Sequence, residues 1–142
     1  MIRPIVLILC LLASPAWSAG AEVSWDNLQN VKTQVLGTQS IANFLPALVA
    51  LDGKPVTIRG WITPINLGDG TTVTSFLLTG TPGTCPFCLG FGPENFVLVS
   101  AAEPVPVDVT TELLLAGRFE IVPKDPTGFY YRLREARVIG HP

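Results

Sequence analysis

Charge is scarce in this chain. Only 14% of its 142 residues are Asp, Glu, Lys or Arg, nine basic against eleven acidic, for a net charge of −2. A general nucleic-acid binder needs a basic excess to neutralise phosphates, and neither this balance nor a pI near 5.2 supplies one. Histidine occurs once, at His141, one residue from the C-terminal end. That leaves no Ser-His or Cys-His pair for nucleophilic catalysis. No glycine-rich loop ending in Lys-Ser or Lys-Thr is present to cradle a phosphate. With these templates missing, the chain reads as non-enzymatic. Methionine occurs only as Met1, which rules out a methionine-rich copper site. No apolar run reaches the roughly 20 residues needed to cross a bilayer as a helix.

What is abundant points to a small β domain. Apolar residues make up 48% of the chain, ample to bury a core, so this is no disordered tail. The length suits one domain with a modest core. Thirteen Gly and thirteen Pro favour turns and short strands over long helices.

The first 21 residues have the layout of a secretory signal peptide: Arg3, an apolar run from Ile5 to Ala13, then small residues and Pro15. Cleavage is expected after Ala21 (Ala19-Gly20-Ala21) or after Ser18. The expected organisation is therefore a signal peptide, 1–21, and a single domain, 22–142, in the periplasm. Arg3 is the only charged residue of the leader, so eight basic and eleven acidic residues remain, a net of −3. The mature chain is expected not to span the membrane.

Apolar residues at Trp25, Leu28, Val31, Val35 and Leu36 follow helical spacing over 24–36, with Ser24 or Asp26 as N-cap and Gly37 as stop. A second, Pro46-limited helical stretch is expected over 41–50. From Lys54 onward the pattern alternates. Strands are expected over 55–63, 72–79, 96–100, 112–122 and 129–139, with Pro104 and Pro106 in an extended loop. Gly60 and Gly117 inside strands suggest bulges or sharp bends. Five short, bent strands suit a closed barrel, which removes exposed sheet edges. The fold class is read as mainly β: a small OB-like five-stranded barrel, with an N-terminal helical segment, about 24–50, covering one mouth.

The main local signal is Thr84-Cys85-Pro86-Phe87-Cys88-Leu89-Gly90, between the second and third strands. Three chemistries suit it. An oxidising compartment favours a disulfide between Cys85 and Cys88, which would hold a long loop in one shape. Two thiolates could instead take one side of a zinc ion, with Glu94, Asp69 or a second chain completing four ligands. Thiol–disulfide redox is the third reading. It normally needs a helix N-terminus after the first Cys, and Leu89-Gly90-Phe91-Gly92-Pro93 interrupts any such helix. Phe87, Phe91, Glu94 and Asn95 form a candidate pocket beside the pair. Arg59, Arg118, Arg132 and Arg134 lie on expected strands and form a candidate anion face.

Taken in order, several segments resemble a family of small exported bacterial proteins with an OB-like barrel, known as a domain of unknown function. These are Ser24-Trp25-Asp26-Asn27-Leu28, then Leu51 to Gly60 with Pro64, Ser75-Phe76-Leu77-Leu78, the Cys85 loop, Pro93-Glu94-Asn95 and Ala116-Gly117-Arg118. The resemblance covers about 24–139. In that family a Cys is commonly followed two positions later by His. Here Phe87 holds that position and Cys88 comes next, so a two-Cys arrangement replaces a Cys-His one. Members resemble accessory proteins encoded near ABC-type transport systems, some linked to zinc supply. The resemblance implies metal or transport accessory work, with a membrane transport complex or another periplasmic protein as partner, and no established enzyme activity.

Overall fold

Alternating apolar residues build the body of the protein. In the computed structural model, which describes residues 20–66, 70–83, 91–124 and 128–141, eight strands and two short helices follow one another. They are β1 Ala21–Val23, α1 Trp25–Gln29, β2 Lys32–Leu36, β3 Gln39–Asn43, α2 Pro46–Val49, β4 Pro55–Thr63, β5 Thr72–Thr79, β6 Phe96–Pro106, β7 Leu113–Ile121 and β8 Tyr131–Gly140. A 3₁₀ turn at Pro93–Asn95 leads into β6. No helix among the described residues is long and apolar enough to cross a membrane.

Strands β4 to β8 close on themselves in the order β4-β5-β6-β8-β7, with β7 returning to β4. Only β6–β8 is parallel within this ring; the other four pairings are antiparallel. This is the strand order of an OB-like barrel. The ring is strongly sheared. A row of partners leaves β4 at Trp61, passes through Thr79, Phe96–Val97 and Tyr131, and reaches Ile121, whose N–H donates to the Asp52 carboxylate before β4 begins. Closing five strands into a barrel requires such tilt and stagger. β1 adds a parallel strand on Val56–Ile58 of β4, whose other edge is taken by β7.

Two glycines make the closure possible. A Cβ at Gly60 would lie 2.5 Å from the Thr79 carbonyl oxygen and 2.8 Å from Leu78 Cγ, where β4 changes partner from β7 to β5. At Gly117 a Cβ would lie 2.8 Å from the Arg134 carbonyl oxygen, at the register shift between β7 and β8. The core is the barrel interior: Ile58, Ile62, Phe76, Leu78, Val97, Val99, Leu115, Phe119, Tyr131 and Leu133 are all buried.

β4 and β5 keep their expected bounds, and β7 and β8 differ from expectation by one or two residues at their ends. β6 runs on through Pro104 and Pro106 instead of ending at Ser100. Val107 donates its N–H to the Thr71 carbonyl on the β5 side, so alternation turns the nitrogens of Pro104 and Pro106 away from that ladder. A proline is tolerated where no ladder donor is needed.

The N-terminal segment departs further from expectation. The helix over 24–36 stops at Gln29, and 41–50 is helical only over Pro46–Val49. Between them β2 and β3 form a hairpin about Gly37-Thr38. Gly37, at φ 64°, supplies the positive φ that a two-residue hairpin turn needs. The helical spacing was a coincidence of Leu28 and Val31 facing the core while Val35 and Leu36 belong to the exposed ribbon. Of the leader, 1–19 lie outside the described residues, and Ala21 already pairs with Val56.

Candidate functional site

The barrel has two mouths. The lower one is where β5 ends and β6 and β8 begin; the upper one is where β6 and β8 end. The connector carrying the two cysteines leaves and re-enters at the lower mouth. Cys85, Phe87 and Cys88 themselves lie outside the described residues. Both stems of the connector are described, and both are held.

On the outgoing stem, the buried Thr79 hydroxyl bonds the carbonyls of Trp61 (3.3 Å) and Thr81 (2.9 Å). The Trp25 ring of α1 lies on Gly80, where a Cβ would meet it at 2.6 Å. Trp25 Nε1 donates to the Arg59 carbonyl at 2.7 Å, fixing the ring across the top of the stem. On the return stem, Asn95 Nδ2 donates to the Gly92 carbonyl (3.2 Å), closing the 3₁₀ turn. Its Oδ1 accepts from Gln29 Nε2 at 3.0 Å. The Glu94 carboxylate stands directly over Gly92, in space only a residue without a Cβ leaves open. Helix α1 therefore touches both stems, with Ser24 Oγ capping it by accepting from the Asn27 N–H.

Behind the stems lies an aromatic cluster. Tyr131 is fully buried, stacks on Phe119 (5.8 Å, 23°) and donates its hydroxyl to the Leu28 carbonyl at 2.8 Å. Burial, then the negative Glu94, then Tyr130 push its ionisation well above the usual phenol value.

Of the candidate pocket, Glu94 and Asn95 share this bracket, and Phe91 stands beside it, 48% exposed. Trp25, Gln29 and Gly80 complete the bracket without having been singled out as site residues, and Tyr131 backs it. The Trp-Asp-Asn-Leu run was the available signal for Trp25, but only the fold brings it to Gly80.

The candidate anion face is divided. Arg118, Arg132 and Arg134 share one outer face with Glu120, since Arg118 pairs with Arg134 and Glu120 with Arg132 across β7–β8. Arg134 Nε lies 2.6 Å from Glu120 Oε2, and Arg118 reaches Glu120 and Glu135 at 3.8 and 3.9 Å. The Glu120 pairing raises the Arg134 pKa further. Arg59 is elsewhere, 3.3 Å from Glu22 of the strap that carries β1. Arg59, Arg118 and Arg134 carry their own carboxylates, as on an ordinary solvated face.

His141 follows β8 and lies at the upper mouth, away from the connector. Among the described residues no group of three His, Cys, Asp or Glu could hold a metal. Of the zinc donors expected from the sequence, Glu94 stands on the return stem, while Cys85, Cys88 and Asp69 lie outside the described residues.

A family model described as "Protein of unknown function (DUF3299)" matches residues 17–135. No curated protein matches. Among solved structures, the crystal structure of a DUF3299 family protein from Pseudomonas aeruginosa PAO1 is similar, with a TM-score of 0.63 and 18% identity. The alignment covers 88% of this chain and 99% of that one, and at such identity the likeness is one of fold. The model spans β1, the hairpin and nearly the whole barrel, and on that ground the chain belongs to the DUF3299 family.

Proposed function

We propose that this protein is an exported, non-enzymatic binding or accessory protein, and that its working part is the connector at the lower mouth. The observation that supports this reading is the double anchoring of that connector. Trp25 lies on one stem and Gln29 holds the other, so a single short helix sets where the Cys85–Cys88 segment emerges. A pre-set stem lowers the ordering cost of binding. In the oxidising periplasm the pair forms a disulfide. When reduced, it takes zinc with open positions for water or for a donor on a periplasmic or membrane transport partner.

Intact mass, native and denatured, with and without reductant, tests both states together. The expected result is a loss of about two mass units in the oxidised chain. The reduced chain is expected to hold one zinc per molecule, absent from the Cys85→Ser/Cys88→Ser variant. Zinc binding that ignores both cysteines would sink the metal part. An alkylation rate that titrates far below the ordinary thiol value, about 8.5, would replace the whole reading with a thiol oxidoreductase.

A further inference from the structure

The upper mouth carries a second feature, independent of the cysteines. β6 and β8 pair in parallel only as far as Ala101–Ala136 and then separate. The gap is a cleft of about 450 Å³, within the size range of small-molecule sites. Its floor is apolar: Val105, Leu113 and Ala136 are all buried. Its β6 wall is unusual. Because the Val105 and Val107 backbones face β5, those of Pro104 and Pro106 face the cleft. Proline has no N–H, so this wall offers carbonyl oxygens and no donors. A missing donor row also blocks addition of a peptide strand, which would need both kinds of group.

The rim charges follow the same bias. Arg137 is paired with Glu103 across the gap at 2.8 Å, which neutralises its charge. Asp108 makes no ion pair among the described residues. It is fixed by hydrogen bonds from the Thr110 N–H (2.9 Å) and from the Thr110 and Thr111 hydroxyls (2.6 Å each). These bonds, Thr110 first, hold its carboxyl down to about 2, so it stays ionised. His141 completes the rim.

We propose that this cleft binds a small amphiphilic cation, an alkylammonium or alkylguanidinium, with its apolar body on the Val105–Leu113–Ala136 floor. The charged head donates to the Pro104 and Pro106 carbonyls and to the Asp108 carboxylate. An anion meets the ionised Asp108 and the proline carbonyls there, with Arg137 already bonded to Glu103, and an uncharged alcohol has one donor where an ammonium has three.

Titration of the ¹⁵N-labelled full-length mature protein with hexylamine, hexan-1-ol and hexanoate tests this. The amine is expected to shift amides of 103–111 and 136–141, and to bind at least about ten-fold tighter than the alcohol, as charge-assisted bonds do. Hexanoate is expected to leave the cleft unperturbed. Val138→Phe, which fills the gap, and Asp108→Asn, which removes the charge, are each expected to weaken the amine by about ten-fold or more while amides of the lower mouth stay in place. Equal binding of hexan-1-ol and hexylamine, amine shifts outside the cleft, or no shift at millimolar amine would overturn the proposal. So would full amine affinity in Val138→Phe, the variant that leaves the Asp108 loop untouched.

Discussion

At the scale of single residues, Tyr131 carries more than its volume. Its ring is held by Phe119 and Phe44, and its hydroxyl gives the Leu28 carbonyl a partner out of reach of water. Tyr131→Phe keeps the ring contacts and orphans that carbonyl. The expected cost is about 1–2 kcal/mol in a denaturant titration. The same residue sets a pH dependence. Its ionisation is raised on folding, so its contribution is fully present below the unfolded value, about 10. It is lost as pH climbs from there toward the raised folded value. Stability measured between pH 9 and 11.5 should fall more steeply in the wild type than in Tyr131→Phe. Equal slopes would show that the phenol is not protected. Gly60 is the opposite case, a residue whose value is what it leaves out. Gly60→Ala puts a methyl 2.5 Å from the Thr79 carbonyl, and a loss of roughly 1–3 kcal/mol is expected, the range for an overpacked core.

At the scale of elements, the β2–β3 hairpin and the β1 strap behave differently from the barrel. Among the described residues the hairpin pairs with no other strand, and Val35 and Leu36 are 70% and 62% exposed. A lone two-stranded ribbon is marginal in water. Its amides should exchange with deuterium roughly a hundred-fold faster than those of β5 and β6, which sit in the middle of the ring. Protection equal to that of the barrel would mean that the ribbon is covered in solution. β1 is short but used: Val23 is buried, Gly20 packs on the Pro55 backbone and Ala21 pairs with Val56. Processing after Ser18 preserves all three contacts, whereas processing after Ala21 removes two of the three residues. If the proposed leader is removed, the chain is therefore expected to begin at Ala19, a start that N-terminal sequencing checks directly; a start at Glu22 would contradict it.

At the scale of the whole molecule, the barrel separates the two proposed sites by its length. One mouth holds the two anchored stems of the connector, and the other the cleft where two parallel strands part. The shear that closes the ring is also what opens the cleft. β8 must follow β7 to Gly140, while β6 follows β5 to Pro106, so the two cannot remain paired.

Much of this was legible in the residues alone. Period-two alternation placed β4, β5, β7 and β8 within two residues of their ends, because each strand buries one face and the pleat allows no other repeat. The glycines at 60 and 117 announced bends, and the family's ordered segments announced the OB-like ring. Tertiary structure alone decided the rest. The 31–43 stretch carries apolar residues at a spacing that serves a helix or a hairpin equally, and the choice fell to Gly37 and to how Val31 and Phe44 could reach the core. Likewise, no local pattern joins Trp25 to Gly80, Gln29 to Asn95 or Glu103 to Arg137. Such contacts depend on which strands become neighbours when the ring closes, and that is a property of shear and register summed over five strands, not of any one segment.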